Sequence, residues 1–377
     1  MGKMKKKISF IVNSLGVGGT EKHLLQISDF LNKDYEINLF CFEDGKLRKY
    51  FEKNNIKVFY PKFKKFNLFS FIFFLFKNNP DIYHFFLPKS YIIGAFLTLF
   101  SKKKKVMSRR SLNYYHKNFF NISLYLEVFL HKRMDIILTN SEFAKNQLIH
   151  EEKVPIEKVF VIKNFLRVKN NKKSIKKIFK IKKTDVIFAI IANLIPYKGH
   201  ADLIKACSRI ELRNWKLLVI GEDRNDFKKT LIEETINYSI ENNVLFTGLL
   251  DDVPQYLHDI DFIINTSYEE GSSNALLEST AMGLPVVAYD INSNKEFVEH
   301  NKNGFLVKLG NIDKLTYFIE KLIKSRRRIK MGNHSKYIFN KKFNPNKSIK
   351  QYKSVYESLT QTKANEKNYN LSKNFNN

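Results

Sequence analysis

The sequence predicts an α/β protein built as two Rossmann-like domains facing each other across a cleft. Three observations carry this expectation. Short apolar runs alternate with amphipathic stretches of helical length, the pattern of repeated βα units around a parallel sheet buried on both faces. The alternation breaks once, in the Lys/Asn-rich stretch VKNNKKSIKKIFKIKK that begins at Val168, and then resumes. The length, 377 residues, is roughly that of two ordinary domains.

In the first half, ISFIVNS, EINLFCF, IKVFY, DIYHFFL, KVMSR, DIILTNS and VFVIKN read as strands. Residues 21–31, 66–77, 90–100, 122–132 and 142–149 read as the helices between them. The second series has the strands VIFAIIAN, WKLLVIG, VLFTG, DFIINTS, PVVAYD and GFLVK, with helices over 200–209, 226–241, 274–282 and 312–324. This places domains at 1–170 and 171–343, a last helix at 344–359, and a polar tail at 360–377 that is expected to be disordered. Open sheets of this kind bind ligands at the carboxyl ends of their strands, so the site is expected there, in the cleft.

Composition narrows the function. With 44% hydrophobic residues the chain can bury a core, which excludes a disordered or fibrous class. Lys and Arg number 65 against 37 Asp and Glu, a net charge of +28, so an anionic partner is expected: nucleic acid, anionic lipid or a phosphorylated ligand. Cys41 and Cys207 lie far apart in apolar runs, which points to neither a disulfide framework nor a zinc site and fits a reducing compartment. No apolar run reaches the length of a spanning helix. The basic start MGKMKKK leads into ISFIV, but Asn13 and Ser14 end that run too early for a secretory leader, and it reads as a buried strand.

Two turns carry chemistry. In SLGVGGTEKHLLQ, Gly16, Gly18 and Gly19 follow a strand and open a helix, where backbone amides and the helix dipole suit a phosphate. The dinucleotide fingerprint G-x-G-x-x-G fails because Glu21 stands at its third glycine, although Glu43 and Asp44 follow the second strand as a nicotinamide site requires. The bland alternative is a tight turn with no ligand. In DFIINTSYEEGSSNALLESTAMGLPVVAYD, Glu270 lies in a turn and Glu278 in the early part of the following helix. The amides of Gly271, Ser272, Ser273, Asn274 and Ala275 form a second anion site between these acids. Carboxylates accept strong hydrogen bonds from hydroxyls, so a nucleotide sugar suits the pair: diphosphate on amides, ribose and hexose on acids. The bland alternative is two solvated acids near a helix start.

The second stretch resembles the E-x7-E signature of glycosyltransferase family 4, retaining enzymes of GT-B fold, through Glu270, Gly271, Leu276, Leu277, Glu278, Ala281, Met282, Gly283, Pro285, Val286, Val287 and Ala288. GVGGTEKHLLQIS, DIILTNSEFAKNQLI, VFVIKN, IANLIPYKGHADLIKA and NKNGFLV resemble further family segments in the right order. The resemblance implies an N-terminal acceptor-binding domain and a C-terminal donor-binding domain. It implies transfer of a hexosyl or N-acetylhexosaminyl group from a nucleotide-diphosphate sugar, of UDP type, to a surface polysaccharide (lipopolysaccharide or capsule) or a lipid-linked glycan. Lys198, followed by Gly199, takes the family's diphosphate-facing lysine position, while Asn193 replaces its usual arginine, so a charge-assisted contact is lost there. On this reading Glu270 orients the sugar, Glu278 holds the ribose, and Gly18 and Gly19 approach the diphosphate from the other domain.

The family's acceptor-side histidine is missing from VMSRRSLNYYHKN. Arg109, Arg110 or the more distant His116 are its candidate replacements, and His84 closes a strand at the same edge, where a structural role is the bland alternative. Asp259 and Asp261 form a D-x-D but precede a strand, at the wrong end of the sheet for a metal. No metal or other cofactor is therefore expected. Lys62, Lys64, Lys65 and Lys77 surround a Phe-rich helix, and Lys102 to Lys105 follow another apolar helix. Contact with an anionic membrane at the inner face of the cytoplasmic membrane is expected, against the alternative that the rings cover the sheet. Two rival functions remain: a sugar-nucleotide epimerase of the same fold, and a basic nucleic-acid-binding protein, which the lack of a recognisable binding module disfavours.

Overall fold

The computed structural model describes residues 5–62, 67–110, 121–168, 171–223 and 226–360. His116, Lys64, Lys65 and the tail from 361 onward lie outside these residues. The described chain divides into two compact units, one running to Phe165 and joined by the last helix, the other spanning Leu166–Asn344.

In the first unit the chain runs β1 (Lys7–Ser14), α1 (Gly19–Leu31), β2 (Glu36–Glu43), α2 (Arg48–Lys53), β3 (Lys57–Phe59), α3 (Asn67–Asn78) and β4 (Ile82–Phe86). It continues with α4 (Pro88–Leu97), β5 (Lys104–Arg109), α5 (Asn121–Lys132), β6 (Ile136–Thr139), α6 (Glu142–His150) and β7 (Val159–Val161). The seven strands are all parallel, in the order β3-β2-β1-β4-β5-β6-β7. Alternation along β1 explains its continuous apolar run. Ile8, Phe10 and Val12 face one core with Leu24 and Ile27 of α1, while Ile11 faces the other with Phe71, Phe74 and Tyr91 of α3 and α4.

The second unit holds α7 (Ile175–Ile178), β8 (Val186–Ile191), α8 (His200–Cys207), β9 (Trp215–Ile220), α9 (Phe227–Asn237), β10 (Val244–Gly248), β11 (Phe262–Asn265) and α10 (Asn274–Met282). Then come β12 (Val286–Tyr289), α11 (Asn292–Lys295), β13 (Gly304–Val307), α12 (Ile312–Lys324) and α13 (Arg328–Lys342). Its six parallel strands run β10-β9-β8-β11-β12-β13, so the order reverses between β8 and β11, the topological switch point where open sheets of this kind take ligands. Two core layers again cover the two faces.

The last helix, α14 (Pro345–Thr360), returns to the first unit. Tyr352, Val355 and Tyr356 are fully buried in the core that contains β1 and α1. Ser348 Oγ donates to the carbonyl of Lys163 at 3.1 Å, and Lys353 pairs with Asp34 at 2.6 Å. The Lys/Asn-rich stretch where the alternation breaks is partly built into the second unit. Ser174 caps α7 by accepting from the amide of Lys177, and Ile175 and Ile181 are buried in the second unit.

Candidate active site

At the switch point of the second unit, β8 leads through Asn193 into a short turn carrying Tyr197 and Lys198, and β11 leads into the loop from Thr266 to Ser273. The two segments are stapled together. Gly199 makes this possible: its φ of +71° is left-handed, and a Cβ there would overlap the carbonyl of Thr266. Thr266 Oγ1 donates to the carbonyl of Gly199 at 2.9 Å, and the amide of Tyr268 donates to the carbonyl of Tyr197 at 2.9 Å. Lys198 Nζ then reaches Glu270 Oε1 at 2.5 Å, with side-chain exposures of 14% and 18%. Ser267 Oγ also donates to that oxygen, at 3.3 Å. Lys198 and Glu270, 72 positions apart in sequence, thus form one half-buried ion pair.

The far end of the loop is fixed by Asn265, the last residue of β11. Its Oδ1 accepts from the amide of Ser267 at 3.1 Å and its Nδ2 donates to Ser273 Oγ at 3.1 Å. Ser273 is the N-cap of α10 and accepts from the amide of Leu276, which gives its hydroxyl a structural duty. Gly271, Ser272, Asn274 and Ala275 are half-buried around this helix start, where the dipole is positive. Glu278 follows in the second turn of α10, also half-buried. Asn193 is half-buried at the end of β8, and its carbonyl accepts from the amide of Ile195 at 3.0 Å.

A further carboxylate is absent from the expected set. Asp202, in the first turn of α8, accepts from Tyr268 Oη at 2.6 Å and from Tyr289 Oη at 2.5 Å. Burial, then the hydrogen bond to Asp202, pushes the Tyr268 hydroxyl up to about 12, so both tyrosines stay protonated donors. The three side chains tie α8, the loop and the end of β12 together. The only signal in the sequence was an acid in a first helical turn, which ordinarily serves the helix dipole.

In the first unit, Gly18 is the N-cap of α1 and lacks a side-chain cap. A Cβ on Gly18 would overlap the carboxylate of Glu21, which is 8% exposed beneath the turn and accepts from Ser14 Oγ at 3.1 Å. Gly19 is exposed.

The three acceptor-side candidates differ in how far they are buried. Arg109 has no exposed surface and its Nη1 pairs with Glu152 at 2.5 Å. His131 joins the same carboxylate at 2.6 Å and approaches Glu127 at 3.4 Å, while Tyr91 Oη donates to Glu127 at 2.9 Å. Burial alone would lower the His131 pKa, but the hydrogen bonds to Glu127 and Glu152 outweigh it and hold it above the ordinary value. His84 is equally buried, between Tyr356 Oη at 2.6 Å and Ser108 Oγ at 2.8 Å, and burial followed by the Arg110 charge holds it well below the usual histidine range. Arg110 donates to Asn164 Oδ1 at 2.5 Å and to Tyr352 Oη at 2.8 Å, anchoring α14. Arg109 and His84 are thus held in buried networks, while Arg110 stays half-buried just past the end of β5.

Asp259 accepts from Ser174 Oγ at 2.7 Å, and Asp261 accepts from the amide of Ile187 at 2.9 Å and pairs with Arg328 at 3.3 Å, at the amino edge of the sheet. Among the described residues no group of three or more His, Cys, Asp or Glu stands together as a metal site.

The two parallel sheets are those of a GT-B glycosyltransferase, and comparison with known proteins gives the class. The family model for glycosyltransferase family 4 matches residues 17–169, and that for glycosyl transferases group 1 matches 171–341. The chain belongs to the family-4 type glycosyltransferases. It is 27% identical to the UDP-Gal:alpha-D-GlcNAc-diphosphoundecaprenol alpha-1,3-galactosyltransferase of Escherichia coli, over 85% of this chain and 88% of that one. It is 24% identical to the Campylobacter jejuni N-acetylgalactosamine-N,N'-diacetylbacillosaminyl-diphospho-undecaprenol 4-alpha-N-acetylgalactosaminyltransferase, over 81% and 87%. Among solved structures, Anabaena HepE in complex with UDP-glucose shares the fold, with a TM-score of 0.84 at 22% identity over 93% of this chain and 99% of that one.

Proposed function

We propose that this glycosyltransferase takes a hexose or N-acetylhexosamine from a UDP-sugar and transfers it, with retention at the anomeric carbon, to a lipid-linked or surface-polysaccharide glycan at the inner face of the cytoplasmic membrane. The observation that carries the proposal is the Lys198–Glu270 pair at the switch point, 2.5 Å apart beside the start of α10. The pair stores the two charges that a nucleotide sugar needs: an ammonium for its diphosphate and a carboxylate for its hydroxyls.

In the proposed cycle the diphosphate draws Lys198 away from Glu270 and also engages the first turn of α10. Both then stabilise the charge that develops on UDP as the bond from C1 to the diphosphate oxygen breaks. Glu270, released from its lysine, accepts from sugar hydroxyls and orients C1 toward the acceptor hydroxyl, whose oxygen bonds to C1 as its proton passes to the departing diphosphate. Glu278 accepts from the ribose. Asn193 adds a neutral hydrogen bond where a cation would be stronger, and Gly18 and Gly19 are assigned to the donor as well. No metal or cofactor has a role in this scheme. The choice of UDP and of a lipid-linked acceptor is supported by what the Escherichia coli relative is named for and by the UDP-glucose bound to HepE.

The test is product analysis with a panel of UDP-sugars and an undecaprenyl-diphosphate-linked saccharide. The proposal expects UDP release that depends on acceptor, a product with the donor's anomeric configuration, and a drop of about a hundredfold in kcat for Lys198→Ala. An inverted product contradicts retention. Turnover of the sugar nucleotide without acceptor points to the epimerase reading instead.

A further inference from the structure

Helix α3 (NLFSFIFFLFKN) turns Phe71 and Phe74 inward, where they pack on Phe40 at 4.8 and 5.2 Å between ring centroids. Its outer side is apolar too. Phe69, Phe73 and Phe76, at spacings of four and three, are 71%, 64% and 83% exposed. A helix apolar around its whole circumference belongs in apolar surroundings, yet this one lies at a surface. At 12 residues it is too short to cross a bilayer. Its neighbours in the same layer repeat the feature. Helices α3, α4 and α5 all cover one face of the first sheet, α4 touches α5, and the outer side carries Phe96 near the end of α4, Phe100 just beyond it, 96% exposed, and Phe129 of α5.

Charge in this stretch of the chain is mostly positive. Between residues 67 and 133 the chain holds eleven Lys and Arg but only two acids, Asp81 and Glu127, and Glu127 is buried. Lys77 Nζ lies 5.5 Å from the Phe73 ring and the Arg133 guanidinium 4.9 Å from the Phe129 ring, so cations sit beside the exposed aromatics. Lys102 is exposed just after Phe100 in the chain, and Lys104, also exposed, pairs with Asp135 at 3.2 Å. A second copy of the chain would set like charge against like. Rings that seek an apolar phase, bordered by cations that seek anions, match the headgroup boundary of an anionic bilayer.

We infer that the outer side of the α3–α4–α5 layer docks the enzyme on an anionic lipid surface, with Phe69, Phe73 and Phe76 inserted among the acyl chains and Lys77 and Lys102 at the headgroups. This deepens the proposed function, because it gives a means of meeting a membrane-anchored acceptor, and it is tested separately from transfer. The probe is the full chain mixed with vesicles of phosphatidylcholine, with or without phosphatidylglycerol.

Sedimentation should capture the chain only with phosphatidylglycerol, and raised salt should release it. Phe69→Ser/Phe73→Ser/Phe76→Ser and Lys77→Glu/Lys102→Glu should each weaken capture by about tenfold or more, with thermal unfolding and UDP binding unchanged. Trp215, the sole tryptophan, is buried at 2% exposure in the other unit, so the fluorescence of Phe76→Trp reports this surface and should shift to the blue on vesicles. Equal capture by neutral vesicles, or full capture of the triple Phe variant, would overturn the inference. So would tighter binding to random single-stranded RNA that survives loss of the phenylalanines.

Discussion

Arg109 shows at residue scale what burial does to a reading made from residue type. A basic side chain at the carboxyl end of a strand looks like a ligand group, and nothing in VMSRRSLNYYHKN reveals that its charge is already matched. The structure closes Arg109, Glu152, His131, Glu127 and Tyr91 into one buried network. Removing one member leaves a buried charge unmatched, so Arg109→Met should cost about 3 kcal/mol or more in urea unfolding while UDP affinity stays at the wild-type value. A loss below about 1 kcal/mol, or a loss of affinity at full stability, would contradict this structural role for Arg109. His84 follows the same logic, since its partners Tyr356 and Ser108 lie 272 and 24 positions away and no local pattern announces them. Lys198 and Glu270 stand out in the sequence because each lies in a motif-like stretch, yet their contact depends on Gly199 letting two loops touch. Asp202 was not legible, because its tyrosine partners come from the loop and from β12.

Elements with strong apolar periodicity were readable from the sequence, and α13 shows why one was not. RIKMGNHSKYIFNKK has few apolar residues, and the face it buries is made partly of Gly332 and Ser335. Those small residues let α13 lie directly against the end of α10. A Cβ on Gly332 would overlap the carbonyl of Gly283, and Ser335 Oγ donates to the carbonyl of Leu284 at 2.7 Å. Helix α13 therefore seats the helix that carries Glu278. Gly332→Ala should cost about 1 to 3 kcal/mol and weaken UDP binding as α10 shifts. Calorimetry that finds stability and affinity both unchanged would show that the two helices are not in such close contact. Strands were the easiest elements to read, because burial on both faces leaves an uninterrupted apolar run.

For the molecule as a whole, the sequence showed two series of βα units but not where the last helix belongs. Helix α14 follows the second unit in sequence and packs in the first, because its buried face of Ile349, Tyr352, Val355 and Tyr356 completes the core around β1. Such a return depends on side chains some 340 positions away in the chain, beyond the reach of local periodicity. The second unit by contrast holds its switch point, ion pair and α10 within residues 166–344, which is why its motif read as one piece. The central claim, that these groups grip a nucleotide diphosphate, is tested most directly by titrating UDP into the full chain and its Lys198→Ala and Glu278→Ala variants by calorimetry. The account predicts that each substitution weakens binding by about 1 to 3 kcal/mol, roughly five- to 150-fold, with unfolding unchanged. Wild-type affinity in both variants would contradict it.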